Sequence, residues 1–475
     1  MFKFPIKFPL QFMLASVWSL LLTISCVGWL FRECLDNSWD QVFSGTSVKS
    51  TDDTDWNQFR GPLGTGVAPV GSELVIDFDL DRELVWKTDV PGIGWSSPVY
   101  SKNRIWMTTS ITQLASPEAI EAKLTGVEVP EIKTVAGGVQ LRAVCLDLET
   151  GSIVHDIELA DVSDPEIINP LNSYASPTPA VVGDWVICHF GNYGTWCLDN
   201  QTGAIQWERR FEVEHSVGPG SSPVIHKNNV ILVCDGMDHQ YVAAVDLETG
   251  TDLWKTERPP LKPVHPEMRK SFGTPLLVEI AGNMQAIIPA AQWIVGYDPE
   301  SGRELWRAEH GDGYSIAPVP SYEPETGLII FATGFARPEF VAVDPTGSGD
   351  VTETHIKWRV RNAPSMSSFI VDRGKLYAVN DTGILTCIDI AEGTILSRSR
   401  LGGNYSASPI LANGHLYFFS REGFVTVFEC LPDFPQIGRV NFDNPIMASP
   451  AIKDNSIILR TRDSVYHFRK PGIGS

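Results

Sequence analysis

Ten histidines and eight cysteines are scattered through this 475-residue chain without the spacings that would turn them into chemistry. There is no His-x-His, no HExxH, no CxxC and no adjacent cysteine pair, so the common zinc and dithiol patterns are missing. GxSxG, the phosphate-binding P-loop and the dinucleotide loop are missing too. Glu214-His215 and Asp238-His239 place an acid beside a histidine, but each reads first as loop surface. Positive charge is short: 37 Lys and Arg stand against 57 Asp and Glu, for a net charge of −20. Nucleic acid is met by clustered cations, so that balance excludes it as a partner. The expectation is a chain with no metal, no cofactor and no catalytic set.

What is present is repetition. An Asp followed by a turn ending in Gly recurs as LDLETG (146–151), LDNQTG (198–203), VDLETG (245–250), YDPESG (297–302) and, decayed, IDIAEG (388–393), at intervals of about 45 to 52 residues or twice that. Upstream of these turns lies a second signal, small residues ending in Pro: WSSPV at 95–99, YASPTPAV at 174–181, SSPVI at 221–225, GTPLL at 273–277 and IAPVP at 316–320. SMSSFI at 365–370, SASPIL at 406–411 and MASPAI at 447–452 bring the count to eight. Each unit reads as strand, turn, strand, loop, strand, turn, strand. Small residues suit an innermost strand, where eight strands converge on an axis and larger side chains would collide. The fold predicted is all-β: an eight-bladed propeller of four-stranded blades. The last unit stops one strand short at 470, while ELVWKTDV (83–90) precedes the first repeat as an orphan. An open ring would expose a pairing edge, so the N-terminal strand is expected to complete the last blade.

Register assigns most conspicuous residues to structure. Asp147, Asp199, Asp246, Asp298 and Asp389 are turn formers, with Gly accepting positive φ. Trp207, Trp254 and Trp306 each lie eight residues after a repeat Asp, and Trp358 lies further on, behind an insertion; they read as plugs between neighbouring blades. His155 and Ser397 stand at the equivalent positions elsewhere. Cys145, Cys197 and Cys387 fall two residues before the repeat Asp, where other units have Ala244, Gly296 and Ala342, so they read as buried hydrophobes. One bridge stays open: Cys188 and Cys197 face each other if their hairpin centres on Asn192-Tyr193.

The first fifty residues differ from the rest. Residues 8–31 carry no charge and are long enough to cross a bilayer, with Lys3 and Lys7 before them and Arg32 and Glu33 after. The expectation is a single N-terminal membrane anchor within 1–32 with the ring on the extracytoplasmic side; a cleaved signal stays open, as does lipidation at Cys26 in LTISC. The domain reading continues with an acidic flexible linker (33–55), a leading segment packing on the ring (56–82), the propeller (83–470) and a tail (471–475). The first blade carries a long insertion, about 110–140, in which Ser116-Pro117-Glu118 predicts a helix start and a helix to Leu124.

Units of the form SSPVI…VAAVDLETGTDLWK resemble the PQQ-like (pyrroloquinoline-quinone-type) β-propeller repeat family over essentially 83–470, and WNQFRGPLGTGV at 56–67 resembles the opening motif of its exported planctomycete-type members. That resemblance implies one of two functional classes: quinoprotein alcohol or sugar dehydrogenases using PQQ with Ca²⁺, or cofactor-free scaffolds similar to the lipoprotein of the outer-membrane barrel assembly machine. Family dehydrogenases carry an adjacent Cys-Cys pair, a Trp floor, Glu and Asn calcium ligands and an Asp base. The Cys-Cys pair is absent here and no such set can be matched. The reading taken is a non-catalytic, monomeric ring binding a protein or a small anionic ligand, with a quinoprotein and an extracytoplasmic sensor as alternatives.

A binding face follows from topology. Loops between the second and third strands share one face with the connections between blades, and there polar and aromatic residues gather: Tyr193, Asp238, His239, Trp293, Arg337, Asn380, Arg421 and Arg462. Arg337, Arg421 and Arg462 are expected to form a basic arc suited to a carboxylate, sulfate or acidic peptide.

Overall fold

The computed structural model describes residues 55–472 except 128, 130 and 132. The expected anchor and nearly all of the expected linker therefore lie outside the described residues. Among the described residues no helix is long and apolar enough to cross a membrane.

The repeat turns close as their chemistry dictates. Asp147 Oδ1 accepts hydrogen bonds from the backbone N–H of Glu149 and Thr150 at 3.1 and 2.9 Å and from Thr150 Oγ1 at 3.0 Å, while Gly151 takes φ +69°. Asp199 with Thr202 and Asp246 with Thr249 repeat the arrangement. Each turn joins the third and fourth strands of a sheet.

Eight sheets result. In chain order their strands run 99–162, 180–209, 224–257, 276–309, 321–361, 370–400, 410–441 and 451–469, each antiparallel with the first strand innermost. Leu84–Asp89 pairs with Ser464–Arg469 as the outer strand of the eighth blade, closing the ring with both ends of the chain. Blade four gains a fifth strand, Gly349–Asp350, donated by the insertion in blade five and parallel to Trp306–Arg307. That insertion, with a short helix at Thr352–His355, is what displaces Trp358 from the common spacing.

The small residues of the inner strands do more than fit. Ser97 N–H donates to Thr178 Oγ1 at 2.9 Å, Thr178 N–H to Ser222 Oγ at 3.0 Å, and Ser222 N–H to Thr274 Oγ1 at 3.1 Å. The circuit resumes from Val319 N–H to Ser368 Oγ, Ser368 to Ser408 and Ser408 to Ser449, at 2.9–3.0 Å. Each hydroxyl satisfies a buried donor of the preceding blade that no strand can reach. Val319 lacks a hydroxyl, so the circuit is broken between blades four and five, the junction that the donated fifth strand spans on the outside.

The outer seams are built from tryptophan on glycine. A Cβ at Gly250 would lie 2.7 Å from the Trp207 ring, one at Gly302 2.4 Å from Trp254, and one at Gly393 2.6 Å from Trp358. Each Trp belongs to the blade before its glycine, and Trp207 and Trp358 also donate Nε1–H to Leu247 O and Ile390 O across the seam. Trp86 of the closing strand does the same on Gly151 and Leu148 O. In blade one His155 replaces Trp, stacks on Trp106 and bonds Gln201 O at 2.9 Å; in blade six Ser397 bonds Pro432 O. Trp306 departs from the pattern: its ring covers Gly296 of its own blade and Nε1 donates to Gln285 Oε1.

The six cysteines among the described residues are free and buried. Cys188 pairs with Trp196, and Cys197 with Ile187, so the hairpin is offset by one residue from the Asn192-Tyr193 centre. A one-residue offset sends the two thiols to opposite faces of the sheet. Cys188 packs toward blade one and Cys197 toward blade three.

The leading segment crosses one face of the ring. Trp56 O accepts from Tyr100 N–H in blade one, Asn57 bonds Val181 in blade two, and Phe59 packs with blades four and five. Buried Arg60 reaches Phe369 O and Pro409 O in blades six and seven, Val67 bridges to Leu411, and Glu73 N–H bonds Asn455 in blade eight. These partners lie on inner strands near the turns joining first and second strands, so this face of the channel is covered.

Candidate functional site

The opposite face stays open and bears an arm. Strands Arg104–Leu114 and Ala136–Asp147 of blade one run past the ring, and between them lies the helix Pro117–Leu124. Ser116 caps it, its hydroxyl accepting from Ala119 N–H, and Pro117 occupies the first turn. None of its residues is buried, but Lys123 pairs with Asp164 at 2.6 Å and bonds Pro165 O, tying the helix to the connection after blade one.

Behind the arm a partly buried charged network joins successive connections. Glu166 accepts from Asn192 Nδ2 at 2.6 Å and from the N–H of His215 and Ser216 at 3.3 and 3.2 Å. Ser216, at φ +56°, donates its hydroxyl to Glu267, which pairs with buried Lys270; Lys133 of the arm bonds Ser216 O at 3.0 Å. Burial pushes the Glu166 carboxyl up and the Lys270 ammonium down from their ordinary values. The network is a frame that fixes the arm's base.

At the channel mouth, beside the arm, is a cavity of about 440 Å³. Its walls include Ile93, Trp95, Leu114, Ile168, Tyr174 and Met447, with Arg421 and Arg462 at its rim. Half-buried Arg421 is aimed by neutral partners: Nε donates to Ser406 Oγ at 2.7 Å and Nη2 approaches Met366 Sδ at 3.1 Å and Tyr405 O at 3.3 Å. Burial lowers its pKa, opposed by the more distant Asp381 and Glu422. Arg462 is exposed and lies 3.8 Å from Asp463.

Of the eight candidates, the structure brings Arg421 and Arg462 to the mouth cavity. Arg337 is exposed on its own loop and does not line the cavity that Arg421 and Arg462 share. Tyr193 is buried, with its hydroxyl accepting from Glu166 N–H at 2.8 Å and its ring against Tyr174. Trp293 donates Nε1–H to Pro260 O and lies beneath the Arg307 guanidinium; Asn380 accepts from Thr382 and Ile384 N–H within its turn. Asp238 and His239 line a separate polar depression of about 320 Å³ with Arg258, Lys262 and Arg269. Next to it, buried Arg258 forms a two-pronged pair with Asp235 (3.0 and 2.8 Å) and reaches Tyr297 and Pro289 in blade four. Burial opposes the Arg258 charge, but Asp235 outweighs it and holds the guanidinium protonated.

Sequence reasoning passed over Trp95, Met366, Ser406 and Met447. Each precedes the ring hydroxyl position of its unit by two residues, so the repeat register itself marks them as mouth residues.

Fit to a quinone–calcium pair can be judged from the donor set. Ca²⁺ takes six to eight oxygen ligands, with carboxylates prominent. The mouth cavity is lined by no Asp or Glu, and among the described residues no group of three or more His, Cys, Asp and Glu converges. These residues do not fit that pair.

Ring, covered face and open mouth define a PQQ-like repeat propeller. The chain belongs to the family described as outer membrane protein assembly factor BamB, whose profile matches residues 71–287 and 290–430. A curated relative of that description from Legionella pneumophila (strain Paris) is 23% identical over 260 residues, covering 53% of this chain; the chain spans about half of that relative's length (50%). Among solved structures, BamB from Moraxella catarrhalis superposes with a TM-score of 0.56 at 12% identity, over 82% of this chain and 98% of that one. Quinohemoprotein alcohol dehydrogenase ADHIIG from Pseudomonas putida HK5 gives 0.60 at 11% identity, over 89% and 81%. At such identities both show shared fold alone.

Proposed function

We propose that this chain is a non-catalytic, membrane-anchored scaffold whose extracytoplasmic ring carries a protein partner on its open face. The observation that carries the reading is the inequality of the two faces. One is covered by the chain's own leading segment; the other presents an arm with Leu114 fully exposed, Ile120 and Leu171 exposed beside it, and an adjoining apolar cavity. Exposed apolar surface gathered in one place marks a contact region, whereas single exposed side chains do not. Membership of a family described as an assembly factor supports a protein partner, and the uncharged stretch 8–31 supports anchoring.

A photo-crosslinking residue placed at Leu114 or Ile120 in cells is expected to give one discrete adduct, with Val70 on the covered face giving none. Leu114→Asp combined with Leu171→Asp should abolish the Ile120 adduct. Equal labelling from both faces, or an adduct indifferent to the double substitution, would overturn the reading.

A further inference from the structure

We propose that the cavity at the channel mouth is a binding site for an apolar carboxylate, with Arg421 and Arg462 holding the carboxylate and Ile93, Trp95 and Met447 enclosing the apolar group. The lining contains two arginines and no carboxylate, in a chain whose net charge is −20. Arg421 has no acidic side chain within ion-pair reach among the described residues, and its Nη1 has no hydrogen-bond partner there. Its Nε and Nη2 are fixed by a hydroxyl, a thioether and a carbonyl, which orient the fork without neutralising it. A guanidinium so placed suits a planar oxyanion that accepts two bonds.

Positive charge continues behind the wall. Arg460 is 2% exposed and its Nη1 donates only to Ser96 O, Ser96 Oγ and Thr108 O, all at 2.7–2.9 Å; a Cβ on Gly94, between Ile93 and its neighbour Trp95, would lie 2.8 Å from its Nη2. Buried cations without counter-ions raise the potential of an adjoining cavity, where low-dielectric walls screen little. The apolar walls argue against sulfate or phosphate, which gain nothing from Trp95, Ile93 and Met447. A volume of about 440 Å³ suits a group of side-chain size or somewhat larger beside the carboxylate. The shared chemistry has two sources, a free short-chain acid or the C-terminus of a peptide ending in an apolar residue.

Calorimetric titration of the full-length protein with octanoate, and separately with Ala-Ala-Leu, tests the site without any partner protein, so its outcome is independent of the scaffold reading. Binding of at least one is expected, weakened about tenfold or more when the carboxylate becomes an amide. Octanoate alone binding assigns a free acid; the peptide alone assigns a chain end. Arg462→Gln, at an exposed position, should weaken binding about tenfold with the melting temperature within about 2 °C. Arg421→Gln should abolish binding; if that variant misfolds, the amide controls on the unmodified protein decide. No heat from either acid, or equal affinity for acid and amide, would overturn the proposal.

Discussion

Trp207, Trp254 and Trp358 stand at the outer seams because the next blade offers each a glycine at positive φ, and that pairing sets the demand on the repeat Gly. Two requirements meet at Gly250: its φ of +67° disfavours any side chain, and a Cβ would sit 2.7 Å from the Trp207 ring. Gly374, at φ +69° with nothing within 4 Å, carries the first requirement alone. Gly374→Ala is therefore expected to cost about 1 kcal/mol and Gly250→Ala about 1–3 kcal/mol more, read from paired urea unfolding curves. Equal losses would show that the seam yields and that the tryptophan contact carries little. At this scale the sequence was legible wherever a side chain serves its own turn, as Asp147 does. It was silent where the partner comes from a non-adjacent strand of the same blade, as with Arg258 and Asp235, which are 23 residues apart with the third strand between them.

At the scale of elements, the strand Leu84–Asp89 is the only piece of its blade drawn from the far end of the chain. It covers what is otherwise a free edge at Ser464–Arg469, and its Trp86 locks onto Gly151 of blade one. Deleting 84–89 is expected to lower the melting temperature and to give concentration-dependent association through the bared edge, visible by sedimentation. A variant that melts like the parent and stays monomeric would show the strand to be an ornament. The count of blades and this closure were both readable, because small-residue-Pro signals and a missing fourth strand are local facts. The hydroxyl circuit was hidden behind the same signal: Thr178, Ser222 and Thr274 look merely small until their neighbours' N–H groups are seen. Hairpin register also escaped, since one extra residue between strands cannot be read from the flanking pattern, and that single offset separates Cys188 from Cys197.

At the scale of the whole molecule, four neutral histidines are buried among the described residues: His189, His215, His310 and His467. Burial pushes their pKa values down to about 3, 4, 4 and 4, with nearby His215 adding to the effect on His189 and Lys270 to that on His215. Between roughly pH 6.5 and 4 the unfolded chain binds protons that the folded ring refuses, so stability falls as pH falls through that window. Unfolding free energy measured at pH 7 and pH 5 should drop accordingly, and His215→Leu should make the drop smaller. A flat profile would mean that the ring accepts these protons in the folded state. The mouth was less legible at this scale: loops could be assigned to a face, but which of them line one cavity depends on positions around a ring, and Arg337 was grouped with two residues whose cavity it does not line.

Asp89 meets Ser464, Glu73 meets Asn455 and also Lys470, contacts 375, 382 and 397 residues apart. The segment that precedes the ring in the chain is thus finished last. At synthesis rates of about 5–20 residues per second, the leading segment and the closing strand wait roughly 20–80 s for partners that do not yet exist. Through that interval a strand with an unpaired backbone and the apolar Trp56 and Phe78 are available to any other chain being made nearby. Long-range closure of this kind slows the final step as well, because it must pay loop entropy before any contact repays it. A ring closed by its own two ends is consequently a protein whose vulnerability lies in time: safe once complete, and most exposed just before its last blade arrives.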